Sequence, residues 1–321
     1  MTNNQQQLIT AAQIQSTLLG GFVGDALGVP VEFLSRAEVQ ANPVTGMRDF
    51  GTYNQPTGTW SDDTTMSLCL MANLTEQGDL TDLMMRFVDW ARHGAYTPFG
   101  TCFDIGLGTT EAIQRFESGI APEACGGRGK MDNGNGAIMR LAPLVFDLLA
   151  IAEPQVRFAK IAAYTKLTHG HPRAIVGSII YLEILREILL GHDFPTSLQI
   201  AQATVTAELS KVYLGELSVY ERIFNADFAT QPESTIKSSG YVVDTLEAAV
   251  WCLSTTSDYS SSVLKAANLG SDTDTIALVT GTLAGAAYGL NAIPLKWRTT
   301  LQNPELLNRI LESFCTYCLK E

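Results

Sequence analysis

Two short stretches carry oxygen-bearing side chains at a density that helix formation alone does not require: Ser61-Asp62-Asp63-Thr64 and Ser271-Asp272-Thr273-Asp274-Thr275. Each opens an apolar, helix-periodic segment, where free backbone N–H groups and the helix dipole favour negative charge. Plain capping is the simplest reading, with Ser61 as an N-cap and Ser271 with Asp274 as a capping box. Capping needs one hydroxyl and at most one acid, however, whereas each stretch offers two acids with a further hydroxyl beside them. On a regular helix Asp272 and Asp274 would diverge by about 200°. They converge only if Asp272 sits on the loop and Asp274 on the first turn.

Should the two stretches meet, four carboxylates would share one pocket. Each pair at about 4 Å would repel by roughly 4 kcal/mol at an effective dielectric near 20. Protonation or bound cations would relieve that strain. Carboxylate and hydroxyl oxygens without His or Cys select hard ions, Mg²⁺, Mn²⁺ or Ca²⁺, over zinc. Two ions close together suit so many acids. Spacing by itself does not bring the stretches together.

The elements that must do so are helical. Apolar residues recur at i, i+3 and i+4 over Ile9–Leu27, Thr64–Thr75, Leu80–Trp90, Gly106–Ser118, Ala137–Leu149 and Pro154–Thr168. The same pattern marks Pro172–Leu190, Ser197–Leu209, Thr245–Leu253, Thr275–Gly289 and a terminal Leu306–Leu319. Alternating strands are absent, so the expected class is all-α. Asn42–Trp60, Gly119–Gly136, Phe224–Gly240 and Asn268–Asp274 read as loops from their Gly, Pro and polar content. With no flexible linker or repeat in sight, the expected organisation is a polar arm over residues 1–10 and a single domain over 11–321. Gly281, Gly285 and Gly289 recur at four-residue spacing, which predicts closely packed backbones in a buried core.

Composition narrows the function. Of 321 residues 46% are hydrophobic and only 17% charged, so much of the chain is interior. The net charge of −12 argues against docking on nucleic-acid backbones or anionic membranes. The longest apolar run, Ile276–Leu290, is too short to span a bilayer. Met1–Thr10 is polar and Gln-rich without the basic-then-apolar pattern of a secretion signal, and a cytoplasmic location is expected. Six scattered cysteines suit a reducing compartment. The one C-x-x-C, Cys315 and Cys318, reads as two thiols a helical turn apart, because partner ligands are lacking. A monomer is expected.

A longer set of motifs surrounds the acidic stretches. Gly24-Asp25-Ala26-Leu27-Gly28 is followed by Glu32, then by Gly58-Thr59-Trp60-Ser61-Asp62-Asp63-Thr64. Further on come Gly134-Asn135-Gly136-Ala137-Ile138-Met139-Arg140, Thr168-His169, Gly240-Tyr241-Val242-Val243-Asp244-Thr245 and Gly270 to Thr275. In content and order this set resembles the ADP-ribosylglycohydrolases, the group that includes dinitrogenase reductase-activating glycohydrolase. The resemblance spans nearly the whole chain apart from the polar N-terminal stretch and the C-terminal helix.

That resemblance implies a compact orthogonal all-α domain with a binuclear Mg²⁺ or Mn²⁺ centre in a central cleft. By matching positions, Ser61, Asp62, Asp63, Asp272, Asp274 and Thr275 would be the metal ligands. Glu32 would lie beside the metals and the scissile bond. Asn133, Gly134, Asn135, Gly136, Ala137 and Met139 would cradle ADP-ribose, with His169 and Tyr241 lining the same pocket. Cys102-Phe103-Asp104-Ile105-Gly106 is similar to a segment of members that cleave arginine-linked ADP-ribose, which places Asp104 at the active site. Those members typically carry Asn three residues after that Asp, whereas Leu107 stands here. The implied activity is release of ADP-ribose from a modified protein, most simply from arginine, with Asp104 or Glu32 as acid or base. An ADP-ribosyltransferase or toxin would be the natural counterpart.

Other features carry less. His169 and His171 precede Pro172 at a helix start and suit ordinary polar roles. Arg128 and Lys130 lie in a Gly-rich loop that lacks the P-loop spacing and the Ser or Thr after its Lys. Tyr241 could equally be a packing aromatic. Two other readings keep the scaffold: an ADP-ribose-binding protein without catalysis, which would be expected to lose metal-binding acids, and a metal-assisted nucleotide phosphodiesterase.

Overall fold

The apolar periodicity folds as helices throughout. The computed structural model describes residues 9–209 and 211–320. In order, these form α1 (Ala11–Gly28), α2 (Arg36–Ala41), α3 (Asp62–Thr75), α4 (Leu80–His93), α5 (Leu107–Glu117), α6 (Pro122–Cys125), α7 (Val145–Leu148) and α8 (Pro154–Lys166). There follow α9 (Pro172–Leu189), α10 (Phe194–Glu208), α11 (Lys211–Leu217), α12 (Val242–Ser254), α13 (Tyr259–Ala267), α14 (Thr273–Tyr288), α15 (Leu295–Thr300) and α16 (Pro304–Cys318). Among the described residues no β-sheet forms, and the only extended pairings are isolated bridges. The all-α expectation is met.

The centre of the molecule is the pair α1 and α14, packed along their lengths. Their contact faces carry glycine because nothing larger fits. A methyl at Gly24 would collide with the Ala277 carbonyl, and one at Gly281 with the Gly20 carbonyl. The close packing expected of Gly281 and Gly285 is present. Gly289 instead ends α14 at φ +80°, with open space where its side chain would be. Helix α9 is buried on nearly every face and bridges α8, α10, α12 and α14. Within it the Glu183 carboxylate, itself buried, meets Arg157 of α8 in a two-pronged ion pair, which satisfies both charges away from water.

Several boundaries differ from the periodic reading, each for a local reason. The segment expected as one helix over Ala137–Leu149 splits into 3₁₀ turns at Ile138–Arg140 and Ala142–Leu144, followed by α7. Pro143 has no N–H to donate to Met139, so an α-helix cannot run through it. Helices α2 and α13 were not evident from the apolar pattern. They are set by caps: Ser35 with Glu38 in a capping box, and Asp258 accepting from Ser261 N. Helix α3 begins at Asp62 rather than Thr64, and α14 at Thr273 rather than Thr275. Residues 1–8 of the expected arm lie outside the described residues, and Thr10 caps α1. Among the described residues no helix is long and apolar enough to cross a membrane.

Candidate metal centre and cleft

The close approach of α1 to α14 delivers the acids. Helix α1 ends at Gly28, where any side chain would strike the Asp274 backbone, and a 3₁₀ turn, Val29–Val31, carries the chain on to Glu32. Phe33 N donates to Ser271 O and Ser271 N to Leu34 O, both at 2.7 Å. This two-way pairing fixes Glu32 against the start of α14. Phe33 and Ser271 both take left-handed conformations, at φ 63° and 65°. Non-glycine residues hold such backbone only where the surroundings over-determine it. Arg36 secures the far side, donating to the carbonyls of Leu269, Glu233 and Ile236.

At the start of α3, capping and chemistry are divided between residues. Ser61 is the N-cap and accepts from Asp63 N. The stronger anchor is Asp25 of α1, fully buried, which accepts from Ser61 N at 3.0 Å, Thr64 N at 3.1 Å and Thr64 Oγ1 at 2.5 Å. Burial still pushes its carboxyl up to about 6. Asp62 and Asp63 are thus released from capping. At α14, Asp272 occupies the N-cap position without making a side-chain cap. The Ser271–Asp274 capping box therefore does not form. Asp272 accepts instead from Asn135 Nδ2 at 2.7 Å, and Asp274 from the adjacent Thr275 N at 2.9 Å.

The two acidic helix starts do face one cavity. It measures about 260 Å³ and is lined by Glu32, Asp62, Asp63, Asp272, Asp274 and Thr275 on one side. Thr275 Oγ1 lies 3.4 Å from Asp63 Oδ1 and so joins α14 to α3. Glu32, Asp272 and Asp274 each bring an oxygen within 4.8 Å of the others. Glu32 Oε2 and Asp63 Oδ2 are buried with no hydrogen-bond partner. Burial, and next the Asp104 and Asp272 charges, push the Glu32 carboxyl up to about 10. Burial foremost raises Asp62, Asp63 and Asp274 well above the carboxylate range, followed by Asp104, Asp62 and Glu32 respectively. Such crowding of unpartnered acid oxygens is the electrostatic complement of hard cations, so the donor set fits divalent ions that prefer oxygen ligands.

The other wall is made of loops. Asp104 lines the cavity at φ 52°, just ahead of α5, followed by Gly106, Leu107, Gly108 and Thr109. Gly134, Asn135, Gly136, Met139 and His169 complete it. The Gly134 loop is pinned by Asn135 N donating to Gly240 O and by Asn135 Nδ2 donating to Thr245 Oγ1 as well as to Asp272. Asn135 therefore orients a candidate metal ligand, a role its motif did not suggest. His169 Nδ1 pairs with Thr168 Oγ1 at 2.8 Å. Burial, aided by Arg140, lowers the imidazole to about 3, so it stays neutral.

Four expected site residues stand outside the lining. Tyr241 turns its hydroxyl to Arg173 at 3.0 Å. Asn133 binds Lys130 O with its side chain and accepts from Val242 N with its carbonyl. Ala137 is buried, and Ser61 is buried with its hydroxyl occupied as the cap. In the other direction, Asp25 and Tyr53 emerge as site residues without an assigned role in the motif reading. Burial foremost, and then the nearby Asp104 and Glu32 groups, push the Tyr53 phenol up. The one charged side chain of α1 was the available signal for Asp25; Tyr53 sits in a loop with none.

Known proteins resemble this chain over most of its length. The family model described as ADP-ribosylglycohydrolase matches residues 6–320. An ADP-ribosylarginine hydrolase Tri1 from Serratia proteamaculans (strain 568) is 32% identical over 301 residues, covering 93% of this chain and 77% of that protein. The protein of the same name from Pseudomonas putida (strain GB-1) is 33% identical over 289 residues, covering 88% and 72%. A solved structure titled ADP-ribosylglycohydrolase-related protein complex superposes with a TM-score of 0.79 at 30% identity, covering 96% of this chain and 98% of that one.

Proposed function

The chain belongs to the ADP-ribosylglycohydrolase family, and from that premise we propose that it is a divalent-cation-dependent hydrolase that frees ADP-ribose from a modified arginine side chain. The observation that carries the reading is the pair of unpartnered, buried oxygens on Glu32 and Asp63, in a cavity also lined by the acids Asp62, Asp104, Asp272 and Asp274 and the hydroxyls of Thr109 and Thr275. The Tri1 relatives, named for ADP-ribosylarginine, support the linkage.

Asp62, Asp63, Asp272, Asp274 and Thr275 would hold two Mg²⁺ or Mn²⁺ ions. Bound there, the cations supply electrostatic grip on the ribose hydroxyls and activation of water. The protein's own groups do the rest. Asn135 keeps Asp272 turned inward. Glu32, whose carboxyl is held protonated in the absence of cations, moves a proton between water and the reacting centre, and Asp104 faces the departing group. The Gly134–Gly136 loop lets backbone approach the pyrophosphate, and neutral His169 adds a polar contact without attracting or repelling charge. The partner is then an ADP-ribosylated protein, the product free ADP-ribose, and the counterpart an ADP-ribosyltransferase.

The test is direct. Purified protein with Mg²⁺ is incubated with arginine-, serine- and nucleic-acid-linked ADP-ribose, and the products are separated. Free ADP-ribose from the arginine substrate, abolished by chelation, is expected. AMP would mark a phosphodiesterase instead, and no product a binding protein without catalysis.

A further inference from the structure

The outer edge of the cleft carries a feature that cation binding does not account for. Phe33 follows Glu32, lines the cavity and is 67% exposed. Its ring meets Tyr53 edge-on at 6.3 Å, and Tyr53 meets Phe103 at 5.2 Å. An aromatic row thus links Phe33, in the cavity wall, to Phe103, the chain neighbour of the lining residue Asp104. Next to Tyr53, Thr52 Oγ1 donates to Glu32 O at 2.6 Å, which ties the row to the backbone of that acid. Leu107, 75% exposed on the same lining, offers no polar atom. Glu32 Oε2 is buried and unpartnered at the base of this rim.

Aromatic faces beside carboxylates form a receptor for a planar, delocalised cation. A guanidinium stacks on rings and donates in a fork to carboxylate oxygens, whereas a neutral hydroxyl gains from neither. Both backbone strains at the rim, at Phe33 and Asp104, hold side chains toward the opening. We propose that Phe33, Tyr53 and Phe103, together with Asp104, form the specificity rim that receives the guanidinium leaving group. This inference rests on the hydrolase reading above and assigns its linkage preference to named side chains.

The experiment measures turnover of ADP-ribosylagmatine and, separately, calorimetric binding of ADP-ribose, in wild type, F33L, Y53L and Y53F. In F33L and Y53L kcat/KM is expected to fall by about tenfold or more, with ADP-ribose affinity held within about twofold. Y53F, which keeps the ring, should lose less than Y53L. Unchanged turnover in F33L and Y53L overturns the rim. So does a parallel loss of ADP-ribose affinity, which would place the adenine, not the guanidinium, on these rings. If wild type releases ADP-ribose from no linkage, the hydrolase reading fails on its own. The rim is then judged by agmatine titration of the ADP-ribose-loaded protein: binding that F33L loses upholds it, and no binding overturns it.

Discussion

Replacing Asp25 with Asn probes whether α1 positions the acids of α3. The carboxylate accepts from Ser61 N, Thr64 N and Thr64 Oγ1. With its oxygen in the place of Oδ2 an amide still accepts from Thr64 N and Thr64 Oγ1, and turns its N–H₂ toward Ser61 N. Losing that one charge-assisted bond removes about 1.5–3 kcal/mol, and leaving donor against donor costs about 1–3 kcal/mol more. The neutral amide escapes the cost of burying charge, the cause of the carboxyl's rise to about 6, so the net loss is about 2–3 kcal/mol. With an unfolding entropy of about 2.1 cal/mol/K per residue, that lowers Tm by about 3–5 °C. Because the start of α3 loosens, half-saturation by Mg²⁺ should also rise about tenfold, as for other groups that orient metal ligands. Scanning calorimetry in EDTA gives the first quantity, and a Mg²⁺ titration followed by Tm gives the second. A variant within about 1 °C of wild type and with the same Mg²⁺ midpoint would refute the positioning role.

Three further outcomes follow from the same geometry. Asp62→Asn and Asp274→Asn should abolish metal-dependent turnover, a larger loss than the roughly 10–100-fold typical of outer-shell partners, while raising apo stability through relief of like-charge repulsion; calorimetry beside a release assay reads both. The raised carboxyls of Glu32, Asp62, Asp63 and Asp274 bind protons more tightly folded than unfolded, so apo stability falls as pH rises above the unfolded carboxylate range. Cations oppose that loss, so the Mg²⁺-induced rise in Tm should grow between about pH 5.5 and 8; a flat or declining difference contradicts it. Gly24→Ala should push α1 from α14 at a cost of about 1–3 kcal/mol or more and weaken Mg²⁺ binding, read by the same titration.

The fold class was legible because long amphipathic helices write their period into the chain. Where it was not legible, the cause was local: Pro143 breaks a periodic segment, and α2 and α13 depend on caps at Ser35 and Asp258 more than on an apolar stripe. For the site, motif positions singled out Glu32, Asp62, Asp63, Asp104, Asp272, Asp274 and His169, all of which line one cavity. Their convergence was not readable from spacing, since it arises from the glycine-faced contact of α1 with α14 and the pairing of Phe33 with Ser271. Tyr241 shows the converse limit. A motif fixes its place at the start of α12, but its side chain follows Arg173 and leaves the cavity.

The most direct measurement of the central claim is anomalous scattering at the manganese edge from crystals grown with Mn²⁺. Two peaks are expected between the start of α3 and the start of α14, each within coordination distance of Asp62, Asp63, Asp272 or Asp274. Density elsewhere, or an ordered cleft in saturating Mn²⁺ with no peak among those side chains, would contradict it.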